Sequence, residues 1–259
     1  MSDYLEKFFN LRGKSAVVVG GGGFLCSEMA FGLAQAGVDI AILDKNEERL
    51  KSAVEKIKSF GVKSFGIALD VTKKDELEKA KEDTLKRFAK IDILINGAGV
   101  NAPTPFLEIT AEEWHAILDS HITATFLACQ VFGAEMVDQK FGSIINMSSA
   151  SAGPPLSKAF TYSVAKAGVR NLTQNLGREW ARNNVRVNCL RPGFFPTEWS
   201  KKHFIDETRN AAILNHTPMG RYGKPEELVG AVLWLCSDAA SFVTGAEITI
   251  DGGFTAMSI

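Results

Sequence analysis

Short apolar runs alternate along the chain with stretches whose apolar residues recur three and four apart, the spacing of one helix face. SAVVV at residues 15–19 is the first run, and residues 24–36 after it carry the helical period. VDIAILD at 38–44 reads as a second strand, followed by a charged helix at 47–59. A third strand at 63–69 leads into a Lys/Glu-rich helix ending near Phe88, and residues 91–95 form a fourth strand. The second half continues with one long helix at 111–137, the strand SIINM at 143–147, a helix at 160–182 and a strand at 185–190. Residues 191 to 223 show no regular period, after which a helix at 225–236 precedes a last strand at 246–250. Pro225 suits the first turn of that helix, where its missing N–H is not needed.

Strands covered on both faces read as continuous apolar runs, and these do. The alternation therefore predicts an α/β protein with a Rossmann-type doubly wound parallel sheet of about seven strands. Helices are expected on both faces, with right-handed crossovers. No linker or repeat interrupts residues 1–259, so one domain is expected. In such sheets ligands bind outside the carboxyl ends of the strands, at the point where strand order reverses.

Composition narrows the function. With 29 basic and 30 acidic residues the formal charge is −1, which argues against nucleic acid as a partner. Basic residues such as Lys51, Lys56 and Lys58 fall on predicted solvated helix faces. Cys26, Cys129, Cys189 and Cys236 lie far apart with no CxxC pair, so buried free thiols and a cytoplasmic location are expected. The N-terminal MSDYLEKFFNLRGK is acidic and aromatic, unlike a secretory signal. No apolar run approaches the roughly 18 residues that a membrane span requires. His115, His203 and His216 have no paired ligand spacing, and no metal is expected.

The stretch VVVGGGGFLCSEMA at 17–30 follows a strand and opens a helix. That is the setting of a phosphate loop, in which bare backbone and a helix N-terminus receive a pyrophosphate. Four glycines could equally make a plain tight turn. Asp44 closes the second strand about 20 residues further on, where a carboxylate can accept from an adenosine ribose diol. Its charge opposes a 2′-phosphate, so NAD is expected over NADP, with Lys45 next door softening the preference and a helix N-cap as the alternative role. Tyr162 and Lys166, in YSVAK, are four apart on one helix face, and Ser149 follows SIINM thirteen residues before Tyr162. A phenol is a poor base at its usual pKa near 10. A neighbouring ammonium stabilises the phenolate, and a serine hydroxyl can hold a substrate oxygen.

Taken together these residues resemble the classical short-chain dehydrogenase/reductases over essentially the whole chain. In that family a Ser and a YxxxK pair form the catalytic core, which the resemblance carries onto Ser149, Tyr162 and Lys166. INGAG at 95–99 is similar to the family's NNAG turn beneath the cofactor, with Asn96, Gly97 and Ala98 at its centre and Gly97 in place of the second Asn. Asp70 and Val71 resemble the pair flanking the adenine. RPGFFPT at 191–197 resembles the segment meeting the nicotinamide, which brings in Pro192, Gly193, Phe195 and Thr197. Residues 220–253 resemble the family's C-terminal signature.

The glycine loop departs from the family's TGxxxGxG. Gly20 keeps the first glycine, Val19 replaces the Thr, and Phe24 and Cys26 replace the later two glycines. The bare backbone through Gly22 and Gly23, with the amides of Phe24 and Leu25, is still expected to hold the pyrophosphate. The family's fourth catalytic residue, an Asn linked through water to the lysine, aligns with His121. An imidazole there would support the same water chain and, titrating near pH 6.5, give activity an acidic limb; simple space-filling is the alternative.

The resemblance implies an NAD(P)-dependent oxidoreductase moving a hydride between nicotinamide and a secondary alcohol or ketone. The tail and loops are similar to enzymes of sugar acids or polyols, notably the fructuronate reductase (D-mannonate oxidoreductase) type. Gluconate 5-dehydrogenase-like and 3-oxoacyl-carrier-protein reductase-like activities stay open, as does a non-catalytic dinucleotide sensor. A cofactor half at about 12–150 and a substrate lid at 194–216 are expected, with Lys201, Lys202, His203 and Arg209 available to a carboxylate. A homotetramer, or a dimer, is implied, using the two long helices as one interface and the tail FTAMSI as a second.

Overall fold

The computed structural model describes residues 3–258, so Met1, Ser2 and the last tail residue, Ile259, lie outside the described residues. Seven parallel strands form one sheet in the order β3-β2-β1-β4-β5-β6-β7. They are β1 (Ser15–Val19), β2 (Asp39–Asp44), β3 (Ser64–Ala68), β4 (Ile93–Asn96), β5 (Gly142–Met147), β6 (Val185–Pro192) and β7 (Glu247–Ile250). The order reverses between β1 and β4, whose register pairs Val19 with Asn96. Both strands end there, and the crevice beyond them is where ligands settle in this topology.

Successive side chains of a strand point to opposite faces. Val18, Ile40, Ile42, Ile93 and Ile95 enter one core with the helices α2 (Phe24–Gln35) and α3 (Glu47–Lys58). Val17, Val19, Leu43 and Leu94 enter the other core, with α4 (Lys74–Phe88) and α6 (Ala124–Asp138). The central strands thus read as unbroken apolar runs because both faces are covered. Helix α3 forms for local reasons as well. Asn46 caps it by accepting from the Arg49 amide, Glu47 and Glu48 lie in its first turn, and Lys56 and Lys58 lie in its last.

The structure differs from the sequence reading in three places. A short helix, α1 (Asp3–Phe9), precedes β1 and buries none of its residues. The expected single helix at 111–137 is interrupted: α5 (Ala111–Leu118) passes through a π-turn at Asp119–Thr123 before α6 begins. The segment after β6 is not irregular. It holds α8 (Glu198–Phe204) and α9 (Glu207–Asn215), which follow the long α7 (Phe160–Trp180), and α10 (Val229–Cys236) packs behind the sheet. Thr197 caps α8 by accepting from the Ser200 amide, and Asp206 caps α9 by accepting from the Arg209 amide. Two helices this short show no sustained apolar period, so their caps were the only sequence signal.

Candidate active site

The chain turns sharply after β1 because Gly20 has φ +73°, a left-handed conformation suited to glycine. A Cβ at Gly20 would come within 2.7 Å of the Ala98 amide nitrogen, so the two loops at the switch point touch through bare backbone. Gly23 caps α2 with no side chain, and the first turn of α2 carries no acidic residue. First-turn amides of a helix lack intrahelical acceptors, and the aligned peptide dipoles add partial positive charge there. Phe24 and Leu25 supply those amides at the floor of the cleft. This fits a pyrophosphate. Gly22 differs, since its amide is committed to Asp44 Oδ2 at 2.9 Å.

A cavity of about 550 Å³ opens beyond the loop, with Asp44, Asp70, Val71 and Ala98 in its wall. Asp44 accepts through Oδ2 from Gly22 and through Oδ1 from the Asn46 amide, 2.9 Å away. Each carboxylate oxygen keeps a further lone pair, which suits a ribose diol. Asp70 accepts from both the hydroxyl and the amide of Thr72, and these bonds hold its carboxyl below the usual range. Lys45 and Arg49 line the same cavity, so cations stand beside the Asp44 charge.

The NGAG turn explains two departures from the family pattern at once. A Cβ at Gly97 would lie 2.1 Å from Cys26 Sγ. The thiol fills the space that a side chain at position 97 would need, so Cys26 and Gly97 form one packing unit. Burial pushes the Cys26 thiol up to about 12, leaving it a small inert hydrophobe. Asn96, expected at the cofactor, turns its side chain away from the cleft. It is buried, its Nδ2 donates to Asn146 Oδ1 at 2.9 Å, and Asn146 donates in turn to Thr173 Oγ1. Its side chain ties β4 to β5 inside the protein and offers nothing to the cleft.

A second cavity of about 410 Å³ continues from the loop and brings together Ser149, Tyr162, Lys166 and His121. Pro192, Gly193, Phe195 and Thr197 form its other side. Ser149 follows the end of β5 and accepts from the Ser151 amide and hydroxyl at 3.2 and 3.1 Å. Lys166 is buried and donates to the Met147 carbonyl at 2.7 Å, which fixes its ammonium beside the strand end. Desolvation lowers the lysine to about 8. Burial raises the Tyr162 phenol, and the Ser149 hydroxyl draws it back down. The lowering expected from Lys166, whose Nζ lies 5.5 Å from the Tyr162 ring centroid, is not among the influences on the phenol, which are burial and the Ser149 hydroxyl.

His121 sits in the π-turn, 4% exposed, with its ring edge-on to Tyr162 at 5.0 Å between centroids. Nε2 donates to the Val100 carbonyl at 2.8 Å, and Nδ1 is buried without a hydrogen-bond partner. Burial, and then the Lys166 charge, lower the imidazole to about 3. The expected titration near pH 6.5 is overturned, because a buried imidazole beside an ammonium stays neutral. The ring also needs Gly99, where a Cβ would fall 1.8 Å from His121 Cε1. A π-turn inserts one extra residue per turn into a helix and often marks a functional position. The sequence gives no sign of it.

A third cavity of about 290 Å³ shares Ser149 and Tyr162 with the second and is closed by Leu156, Phe204, Ile205 and Arg209. Cofactor cleft and outer pocket therefore meet at the serine and the tyrosine. Of the four cations expected at the lid, Arg209 lines this pocket, while Lys201, Lys202 and His203 are exposed on α8. Among the described residues no helix is long and apolar enough to cross a membrane, and no His, Cys, Asp and Glu cluster could hold a metal.

The profile of the family described as enoyl-(acyl carrier protein) reductase matches residues 25–255. An uncharacterized oxidoreductase of Bacillus subtilis, UxuB, is 40% identical, covering 96% of this chain and 97% of its own. The 5-keto-D-gluconate 5-reductase of Escherichia coli is 36% identical, with 96% and 98% covered. A gluconate 5-dehydrogenase from Burkholderia cenocepacia, solved with NADP and tartrate, is 31% identical. It superposes with a TM-score of 0.93, covering 98% of this chain and 100% of that one.

Proposed function

The chain belongs to the classical short-chain dehydrogenase/reductase family, and from that premise we propose that it interconverts a secondary alcohol and a ketone on a sugar acid, of the gluconate 5-dehydrogenase kind, with NAD as preferred cofactor. The observation that carries this is the position of Ser149 and Tyr162, which line both the cofactor cleft and the outer pocket. A nicotinamide bound in that cleft supplies or accepts the hydride. Gly20, Gly23, Phe24 and Leu25 hold the pyrophosphate, and Asp44, Asp70 and Val71 line the adenosine end. Gly193, Phe195 and Thr197 border the nicotinamide.

Each catalytic side chain then has one task. The Ser149 hydroxyl holds the substrate oxygen, and Tyr162 exchanges the proton at that oxygen. The Lys166 ammonium favours the phenolate when the proton has left. His121 stays neutral and offers Nδ1 as an acceptor to a water beside Lys166, a proton exit toward solvent.

The test is a panel of keto-gluconates, gluconate, fructuronate, mannonate and neutral polyols, offered with NAD(H) and NADP(H) and followed by reduced-cofactor absorbance. Turnover of a gluconate-type acid is expected. Turnover confined to 3-oxoacyl thioesters, or cofactor binding without any turnover, overturns the proposal. The two relatives above with named substrates are a 5-keto-D-gluconate reductase and a gluconate 5-dehydrogenase; the expected likeness to fructuronate and mannonate enzymes is not supported, and those acids stand as comparison arms.

We further infer a homotetramer in the cytoplasm. Phe126 stands exposed on α6, and Phe160 and Val164 on α7, with the Phe106 ring 5.4 Å from Phe160, apolar positions suited to a copy of itself. All four cysteines are unpaired, as in a reducing compartment. A monomer mass by light scattering at micromolar concentration would overturn the assembly.

A further inference from the structure

The outer pocket contains one cationic side chain, Arg209, whose guanidinium bonds no carboxylate directly among the described residues. Arg209 stands in the first turn of α9, where its amide donates to Asp206 Oδ1 at 2.8 Å. The other oxygen of Asp206 is taken by Lys158, whose Nζ lies 3.0 Å from Oδ2. Asp206 acts on the arginine charge through space, but its oxygens bond the Arg209 amide and Lys158, and no side-chain bond from the guanidinium to a carboxylate is formed among the described residues. Its guanidinium is held by one bond, from Nη2 to the Ser157 carbonyl at 2.7 Å. Nη1 is buried and makes no hydrogen bond. A guanidinium remains charged and presents a planar fork of donors suited to a carboxylate. A buried donor of this kind is costly unless something pairs with it.

A second orphan shares the pocket. Asn101 Oδ1 is buried without a partner, while its Nδ2 lies 3.5 Å from the Lys158 carbonyl. Consecutive carbonyls of Ser157 and Lys158 thus orient both side chains, at a bend where Lys158 has φ +59°. A cationic donor with one nitrogen unbonded and a neutral acceptor, in a pocket also lined by Leu156, Phe204, Ile205 and the hydroxyl-bearing Ser149, Ser151 and Tyr162, are complementary to a hydroxylated carboxylate.

We propose that Arg209 anchors the substrate's carboxylate and that Asn101 accepts from one of its hydroxyls, with the reacting carbon at Ser149 and Tyr162. This rests on the sugar-acid reading and deepens it by naming the residue that separates acids from neutral polyols. Lys201, Lys202 and His203 do not serve this role, because exposed charges are screened by water. Arg209 also borders a neighbouring cavity of about 350 Å³ with Pro155, Ile213 and His216, so it forms the partition between two spaces.

The experiment compares the parent with Arg209→Met and Arg209→Lys, using 5-ketogluconate and a neutral ketose with NADH. Losing a charge-assisted bond predicts a KM for the keto acid raised on the order of 10- to 100-fold in Arg209→Met. Here kcat should change little, and Arg209→Lys should recover part of the loss. KM for the neutral ketose should stay within about twofold, since it presents no carboxylate to the fork. Calorimetric titration of gluconate into the NADH-loaded enzymes, a pair that cannot react, should show the same loss of affinity, and a thermal melt verifies folding. If Arg209→Met is poorly folded, Arg209→Lys carries the comparison through its acid-to-neutral ratio. A parent that reduces neutral ketoses and rejects every sugar acid sinks both the sugar-acid reading and the subsite. A parent that reduces 5-ketogluconate while Arg209→Met keeps its KM sinks the subsite alone.

Discussion

The two ends of the cleft are made of different material. The cofactor end is built on the tips of β1, β2 and β4, and its contact surface is largely backbone: Gly20 against Ala98, and the open amides at the start of α2. The substrate end is built by α8 and α9, which follow the sheet's sixth strand, and by the segment between β5 and α7, and its surface is side chain: Phe204, Arg209 and Leu156. Backbone reads what all dinucleotides share, while side chains read what one substrate has and another lacks. It follows that the first end is damaged by adding atoms and the second by removing them.

The junction should give the largest effect. Tyr162→Phe removes the proton carrier and is expected to lower kcat about 10³-fold. NADH affinity, measured by fluorescence quenching, should stay near the parent value. If binding collapsed in parallel, Tyr162 would belong to the cofactor end and the division would fail there.

His121 gives the next effect, on stability. Its imidazole is lowered to about 3 in the folded protein, against an ordinary value near 6.5 when unfolded. Between those pH values the unfolded chain binds a proton that the native chain does not, so stability falls as pH falls through that window. Urea midpoints of the parent should decline from pH 6.5 downward, with part of the decline absent in His121→Asn. Activity between pH 5.5 and 7.5 should carry no limb from this residue. A limb that vanishes in His121→Asn would restore the titrating relay.

Smaller again is the paired exchange at the loops. Gly97→Ala drives a methyl into Cys26 and should cost about 1–3 kcal/mol by urea unfolding. In the Cys26→Ala background the same change should cost far less, giving a coupling well above the few tenths expected of independent sites. Additive costs would mean that the two departures are unrelated.

Smallest is cofactor choice. Asp44 favours the ribose diol over a phosphate by about 1 kcal/mol at high effective dielectric, while Lys45 and Arg49 oppose it. Several-fold higher kcat/KM with NAD is expected, and parity or an NADP preference would end the claim.

The same division explains what the sequence made legible. Strands with two covered faces announce themselves, so SAVVV and DIAILD were found nearly to the residue. Tyr162, Lys166 and Ser149 were legible because helix periodicity and the end of a strand fix where such side chains go. The π-turn was hidden, since nothing in the local periodicity marks it and the ring it carries packs against Gly99, distant in the chain. The direction of the Asn96 side chain was not legible because its motif position does not say which way it turns, and its bond to Asn146 holds it inside the protein. Helices α8 and α9 escaped because a two-turn helix repeats too few times to display a period. Arg209 was among four candidate cations, and only burial singles it out.

Asp44 carries two duties whose coupling bears on how this enzyme can be re-engineered or can diverge. Its carboxylate holds the Gly22 amide and the Asn46 amide, so it positions the glycine turn and the start of α3. Replacing it with a small neutral residue to admit a phosphorylated dinucleotide therefore strips the turn of its clasp in the same step. Such a swap starts from a loosened loop, and new cations brought in for the phosphate have no ordered frame to stand on. The accessible route keeps an acceptor at position 44, an asparagine for instance, and recruits Lys45 and Arg49, which already stand in that cavity.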